Sequence, residues 1–344
     1  MNKIQILKPD DWHLHLRDAE ALKRTVTDVA SHIHRAIIMP NLVPPVTTVS
    51  EAQAYRDRIL AHKNKTSFSP LMTLYLTDNT TVDEIKAAGD SPFVVACKLY
   101  PAGATTNSDS GVTDVTKLDK VFEAMTEAGL ILCIHGEVTD NDVDIFDREK
   151  VFIERHLKPI TDRHPNLKIV LEHITTQDAV DFVLESSDNI AATITAHHLI
   201  LNRNDLLSGG IKPDYYCLPI LKRQAHQKRL QNIVLESHPK FFFGSDSAPH
   251  GQHKKYNACG CAGIYTAPVM LCLLAEFFEQ HQSLSHFEPF VSRYGAHFYN
   301  LPLSDESITL TKESWSVPSK LPFGDDEIVP FFAGKQLSWR ICDV

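Results

Sequence analysis

Two histidines one residue apart, His13 and His15, stand in the stretch Trp12-His13-Leu14-His15-Leu16-Arg17-Asp18. Alternate side chains of an extended strand share a face, so the two imidazoles project together with Leu14 and Leu16 behind them. Such a pair can hold a divalent metal; it can equally be two partly exposed histidines on an edge strand. What other strands deliver to the same place decides between the two.

Further polar groups close short apolar runs. VVACKL (Val94–Leu99) carries Lys98, ILCIH ends in His135, IVLEH ends in His173, FFFG is followed by Ser245 and Asp246, and AIIM by Pro40 and Asn41. Each has a bland reading alone: a satisfied histidine at a strand end, a lysine snorkelling outward, a carboxylate capping a helix. Five such groups at strand ends imply a shared task. Lysine is rarely buried unpaired, because its charge is costly to desolvate. Beside cations its pKa falls. The neutral amine can then combine with carbon dioxide to give a carbamate, an anionic ligand able to bridge two metals. Asp246, facing a metal-bound water, would both ligate and move a proton. Imidazoles with oxygen donors suit zinc, with cobalt, manganese or nickel as substitutes. Two such ions roughly 3.5–4 Å apart can share a hydroxide acidified toward neutrality, a nucleophile that needs no serine or cysteine.

These groups need elements to position them. Eight apolar runs read as strands: Asp11–Leu16, Ala36–Met39, Leu71–Leu76, Val94–Leu99, Ile131–His135, Ile169–His173, Ile190–Thr195 and Phe241–Gly244. Helical patterns fall between them at Ala19–Ala30, Ser50–Ala61 (with Ser50 as cap), Thr113–Ala128, Phe146–Arg163, Gln177–Glu185 and Lys222–Ser237. Strand–helix alternation implies a parallel sheet under covering helices, and eight units predict an α/β fold of the (β/α)8 TIM-type barrel kind. Function in such barrels collects at the C-terminal strand ends, where the candidate donors stand. One barrel domain is expected over 1–344, with a helical or irregular extension from about 304 to 344.

Composition narrows the partners. A net charge of −9 leaves no basic footprint for nucleic acid. No stretch approaches the ~20 apolar residues of a membrane span, and PVMLCLLAEFF (Pro268–Phe278) reads as a core helix outside the barrel. Asp147–His156 reads as a solvated helix. The opening MNKIQILKPDD lacks the apolar run of a secretory leader. Seven scattered cysteines do not form a disulfide framework, so a reducing cytoplasm is expected. Cys217, Cys259 and Cys261 could be a soft metal site, but a Cys-x-Cys pair without further ligands is poor evidence, and free thiols near the mouth are the simpler reading.

DWHLHLRD, MPNLVPPVTT, CKLYPAGATTNS, ILCIHGEV, LEHITT, YCLPILKR and FGSDSAPH, in this order between about Lys8 and Gly263, resemble the shorter bacterial-type dihydroorotases of the amidohydrolase superfamily. The resemblance implies a homodimer that interconverts N-carbamoyl-L-aspartate and L-dihydroorotate in pyrimidine biosynthesis. It implies His13, His15 and Asp246 on one metal, His135 and His173 on the other, and carboxylated Lys98 bridging both. Asp246 would shuttle the proton. Arg17, Asn41 and His250 would hold the substrate carboxylate, with His15 and His135 bordering the substrate. The backbones of Leu218 and Ala262 would meet the ring, and Thr105 and Thr106 would ride on a closing loop. Two departures stand out. Gly103 replaces an expected asparagine and should loosen that loop; TAHHL at Thr195–Leu199 replaces Thr-Pro-Gln-His-Leu. Alternatives are a hydantoinase or dihydropyrimidinase-like enzyme, which the carboxylate clamp disfavours; a mononuclear deaminase, which Lys98 disfavours; and an inactive barrel serving as a partner subunit.

Overall fold

A computed structural model describes residues 2–342. Strand β1 (Lys3–Leu7) precedes eight strands that form one parallel sheet in sequential order: β2 (Asp10–Leu14), β3 (Arg35–Ile38), β4 (Ser69–Tyr75), β5 (Val94–Leu99), β6 (Ile131–Ile134), β7 (Ile169–Leu171), β8 (Ile190–Ile194) and β9 (Phe241–Phe243). All eight correspond to the runs expected from sequence. Strands buried on both faces read as continuous apolar stretches, which is why they were visible. The sheet closes where Asp246 N donates to His13 O (2.9 Å) and His15 N to Ser247 O (3.2 Å).

One residue of each pair faces the barrel interior. Trp12, Ile37, Ala96, Cys133, Val170, Ala191 and Phe242 form an inner cluster, separate from the larger core under the helices. Tyr299 seals its floor, stacking on Trp12 at 4.3 Å. The preceding helix Tyr294–Phe298 approaches so closely that a Cβ on Gly295 would strike the indole of Trp12 at 2.0 Å. With the floor filled, the other end of the interior is left for chemistry.

The helices differ from expectation in detail. Helix Val49–Leu60 is capped by Thr48 rather than Ser50, because Glu51 returns the bond and completes a capping box. Thr113–Ala128 resolves into a 3-10 turn (Val115–Leu118) and helix Asp119–Ala128, and Phe146–Arg163 begins at Arg148 and widens to a π turn over Ile153–Leu157. Helix Val82–Gly89, which fills the β4–β5 connection, was not anticipated. The apolar run before the last helices forms Met270–Gln280. No helix among the described residues is long and apolar enough to cross a membrane.

The segment from 304 onward, expected to be helical or irregular, is irregular over much of its described part and carries short antiparallel strands rather than helices. Its first strand, β10 (Ser307–Thr311), alternates, and Ile308 and Leu310 turn inward while pairing with Ile6 and Ile4 of β1. Period-two burial, not helical periodicity, organises this segment.

Candidate metal centre and substrate pocket

Inward alternation carries the interior residues upward into polar ones. Lys98 stands two residues above Ala96, His135 above Cys133 and Asp246 four above Phe242. Gly244 permits the crowding between strands, since a Cβ there would meet His13 Cβ at 3.0 Å and Thr193 Cβ at 2.9 Å. His173 breaks the alternation. It follows Glu172, which holds the inward position above Val170, and enters only because its backbone adopts φ +43°. Asp246 (φ +43°) and Arg17 (φ +60°) are likewise left-handed. Non-glycine residues in that region are costly, and such strain collects where side-chain aim matters.

Donor atoms converge. His13 Nε2 lies 3.2 Å from His15 Nε2 and 3.3 Å from Asp246 Oδ1, and His15 Nε2 lies 3.2 Å from the same oxygen. These edges are those of donors around one cation at bonds of roughly 2.0–2.2 Å. The ring of His173 stands 4.8 Å from that of His13 and 4.9 Å from that of His135. All these side chains are buried, and Nδ1 of His13, His15 and His173 lacks any hydrogen-bond partner. Two imidazole Nε2 atoms gathered around one anionic oxygen in a buried site fit a divalent ion well.

Protonation states agree with that fit. Burial lowers His15 to about 3, against the pull of Asp246, and drives His173 well below its ordinary value. Both rings therefore present lone pairs. Burial raises Asp246, but bonds from His13 and His15 outweigh it and hold the carboxylate well below its usual range. Burial would lower His13 too, yet Glu172 and Asp246 lift it to about 9, so this ring must give up a proton on ligation.

Glu172 was missed by the sequence reading, though it shares the inward parity of Lys98. Its Oε1 lies 2.9 Å from His13 Nδ1. The approach is off the N–H direction, so charge rather than a linear hydrogen bond joins them. Its Oε2 contacts Lys98 Nζ. Lys98 is fully buried beneath the ring of Tyr100, 4.6 Å away, and is thus paired rather than stranded among cations. Two more buried carboxylates escaped notice. Glu137 Oε2 meets His135 Nε2 at 2.9 Å, and Glu149 accepts bonds from the backbone and hydroxyl groups of Thr175 and Thr176, which follow His173 after Ile174.

The remaining candidates surround the same small cavity. His13, His15, Arg17, Asn41, Thr105, Thr106, His135, His173, Leu218, Asp246 and Ala262 all line it. Lys98 lies beneath, and His250 stands one contact behind Arg17, its Nε2 2.9 Å from Nη2. A larger outer cavity of about 650 Å³ shares Arg17 and Thr106 with the inner one but contains none of the four histidines 13, 15, 135 and 173. The candidate donors therefore gather at the inner cavity, and the outer one opens beside it.

The 101–112 loop already lies across the boundary. Asn41 Nδ2 donates to Thr106 O (3.1 Å), and Thr106 Oγ1 donates to Ala262 O (3.4 Å). Gly103 sits at φ +77°, which glycine and asparagine both tolerate, and its N–H is held by Ser108 O at 3.1 Å.

All seven cysteines are free. Cys261 borders the outer cavity, Cys259 is exposed and Cys217 is buried, so the three do not gather into one site.

The amidohydrolase family model matches residues 10–313. A dihydroorotase from Vibrio vulnificus (strain YJ016) is 58% identical over 341 residues, covering 99% of this chain and all of the relative. The crystal structure of a dihydroorotase from Campylobacter jejuni superposes with a TM-score of 0.92 at 36% identity, over 99% of this chain and 97% of that one. An L-hydantoinase from Arthrobacter aurescens reaches a TM-score of 0.80 at 15% identity, over 98% of this chain and 83% of that one, which is a likeness of fold alone. This chain belongs to the amidohydrolase family and, within it, to the dihydroorotases.

Proposed function

We propose that this enzyme catalyses the reversible closure of N-carbamoyl-L-aspartate to L-dihydroorotate with loss of water, a step of pyrimidine biosynthesis. It would use two divalent ions, zinc by ligand chemistry. His13, His15 and Asp246 would hold one ion and His135 and His173 the other. Lys98, carboxylated on Nζ, would bridge them. That assignment needs Lys98 to exchange its ammonium contact with Glu172 for a carbamate stabilised by the cations. When bound, such ions polarise a carbonyl and acidify water toward neutrality.

The chain's own groups do the rest. Arg17 presents a planar fork that matches a carboxylate bidentately, while Asn41 and His250 supply neutral contacts beside it. Both Asn41 Nδ2 and the Ala262 carbonyl now bind Thr106, so substrate entry exchanges these bonds for bonds to the ligand. Thr105 and Thr106 then close on the substrate and exclude water. In the hydrolytic direction Asp246 Oδ takes the proton of the attacking water and returns it to the departing ring nitrogen. In closure the dianion becomes a monoanion and one proton is consumed, so acid favours the ring. The family resemblance supports a cytoplasmic homodimer and a single barrel domain.

The observation that carries this reading is one cavity lined by Arg17, a cation for an acidic substrate, and by the His13–His15–Asp246 group. Turnover of dihydroorotate and dihydrouracil by the metal-loaded protein tests it. Dihydroorotate should be strongly preferred; equal rates would favour a neutral cyclic amide and reject the carboxylate clamp.

A further inference from the structure

A second group of donors lies behind the pocket wall. His197, His198 and Cys217 each offer one ligand atom within 4.8 Å of the others, and all three side chains are buried. Two come from the short helix Ala196–Ile200 that follows β8 and the third from the residue before Leu218. None of them lines the inner cavity.

His197 carries the argument. Its side chain is fully buried and neither ring nitrogen has a partner. An imidazole always has one N–H and one lone pair to satisfy, and leaving a buried polar group unpaired costs about 1–3 kcal/mol. Burial, reinforced by His198, also holds the ring neutral, as a ligand must be. The neighbours fit the same role. Cys217 Sγ lies 3.7 Å from His198 Nε2, the separation of two donors on one tetrahedral ion. His198 Nδ1 lies 2.9 Å from Thr195 Oγ1. A hydroxyl can accept as well as donate, so Nδ1–H can point at Thr195 and free the Nε2 lone pair, the outer contact that ligating histidines commonly make.

We propose that His197, His198 and Cys217 form an additional binding site for a thiophilic divalent cation of the zinc–cobalt class. On binding, the Cys217 thiol loses its proton to solvent and the thiolate becomes a ligand, while His198 gives up its Nε2 proton and takes one on Nδ1, where Thr195 Oγ1 accepts it. His198 Nε2 and Cys217 Sγ then release Pro219 O, which they contact at 3.0 and 3.4 Å. A water or a protein group takes the fourth position. An ion there ties β8 to the segment bearing Leu218 and stiffens that wall of the pocket. This site does not depend on the reading of the hydrolytic centre, whose proposed donors contain no sulfur.

Cobalt(II) chloride titrated into the full-length, metal-stripped protein tests the site. Thiolate-to-cobalt charge transfer in the near ultraviolet reports a sulfur ligand and is silent for nitrogen and oxygen donors. The band should appear in the native chain and in Cys259→Ser/Cys261→Ser, and be lost in Cys217→Ser and His197→Gln together with one equivalent of bound metal. X-ray absorption of the zinc-loaded native protein, which needs no variant to fold, should show sulfur at about 2.3 Å. No band and no sulfur scattering would mean that water alone fills the space, and a band with unchanged stoichiometry in Cys217→Ser would place the sulfur ligand elsewhere; either result overturns the proposal.

Discussion

His13 Nδ1 stands 2.9 Å from Glu172 Oε1, joining the first barrel strand to the end of the sixth. The second oxygen of the same carboxylate touches Lys98. One buried acid thus sets the orientation of an imidazole and of the lysine that together flank the proposed metal pair. A carboxylate behind a ligating histidine raises its basicity through its charge, and removing such an outer partner costs about 10–100-fold in metal affinity. Glu172→Gln should weaken zinc retention by that factor in competition with a chelator. Unchanged affinity would leave Glu172 with a packing role.

Asp246 receives contacts from His13 and His15 and stays ionised in a buried site. Only an ionised carboxylate can take a proton from water and return it to the ring nitrogen. Asp246→Asn keeps the shape and removes the base. Turnover should fall about 10²–10⁴-fold, the range for a lost general base, with far-ultraviolet dichroism unchanged. A rate within tenfold of the native value would move the proton shuttle elsewhere.

Arg17 is aimed by three contacts of its own. Its Nε donates to Pro249 O at 3.1 Å, its carbonyl accepts from Tyr55 Oη at 2.5 Å, and Nη2 reaches His250. The Arg17 side chain also lines the inner cavity. A hydrogen bond to a charged group contributes about 1.5–3 kcal/mol, so Arg17→Met should lower kcat/KM for dihydroorotate about 10–150-fold. Metal content should not change, and dihydrouracil turnover should be nearly unaffected. A parallel loss for both substrates would show that Arg17 shapes the pocket rather than reading the carboxylate.

The legible parts of this molecule are those written in local pattern. Eight apolar runs and the polar residues closing them were visible, because a strand inside a barrel is apolar along its length and changes character only at its mouth. Glu172 was legible in principle: the step from Val170 that makes it inward is the step from Ala96 to Lys98. The histidine beside it is the more obvious donor by residue type, and nothing local announces that His173 must twist to φ +43° to reach the site. Helix Val82–Gly89 was lost among charged residues. β10 was hidden because its partner, β1, lies at the other end of the chain. Loop contacts such as Thr106 to Ala262 depend on three-dimensional closure and leave no mark on spacing.

Lys255 offers a pH-dependent readout of the pocket wall. Its ammonium donates to Tyr216 O (3.0 Å) and Gly263 O (2.7 Å), tying together the two segments that carry Leu218 and Ala262. No carboxylate lies within ion-pair distance among the described residues, and burial lowers the amine to about 8. Below pH 8 the folded and unfolded chains both carry this proton and the desolvation cost is felt in full. Between pH 8 and about 10.4, the ordinary lysine value, the unfolded chain holds a proton that the folded chain has released, so stability from this group rises with pH. The slope is at most about 1.4 kcal/mol per pH unit. Over the same window the neutral amine has one fewer proton to offer the two carbonyls, so the wall should loosen as the fold gains stability. Denaturant melts of the native chain and Lys255→Met at pH 7.5 and pH 10 measure this. The native chain should gain relative to the variant as pH rises; a constant difference would place the Lys255 titration outside the window.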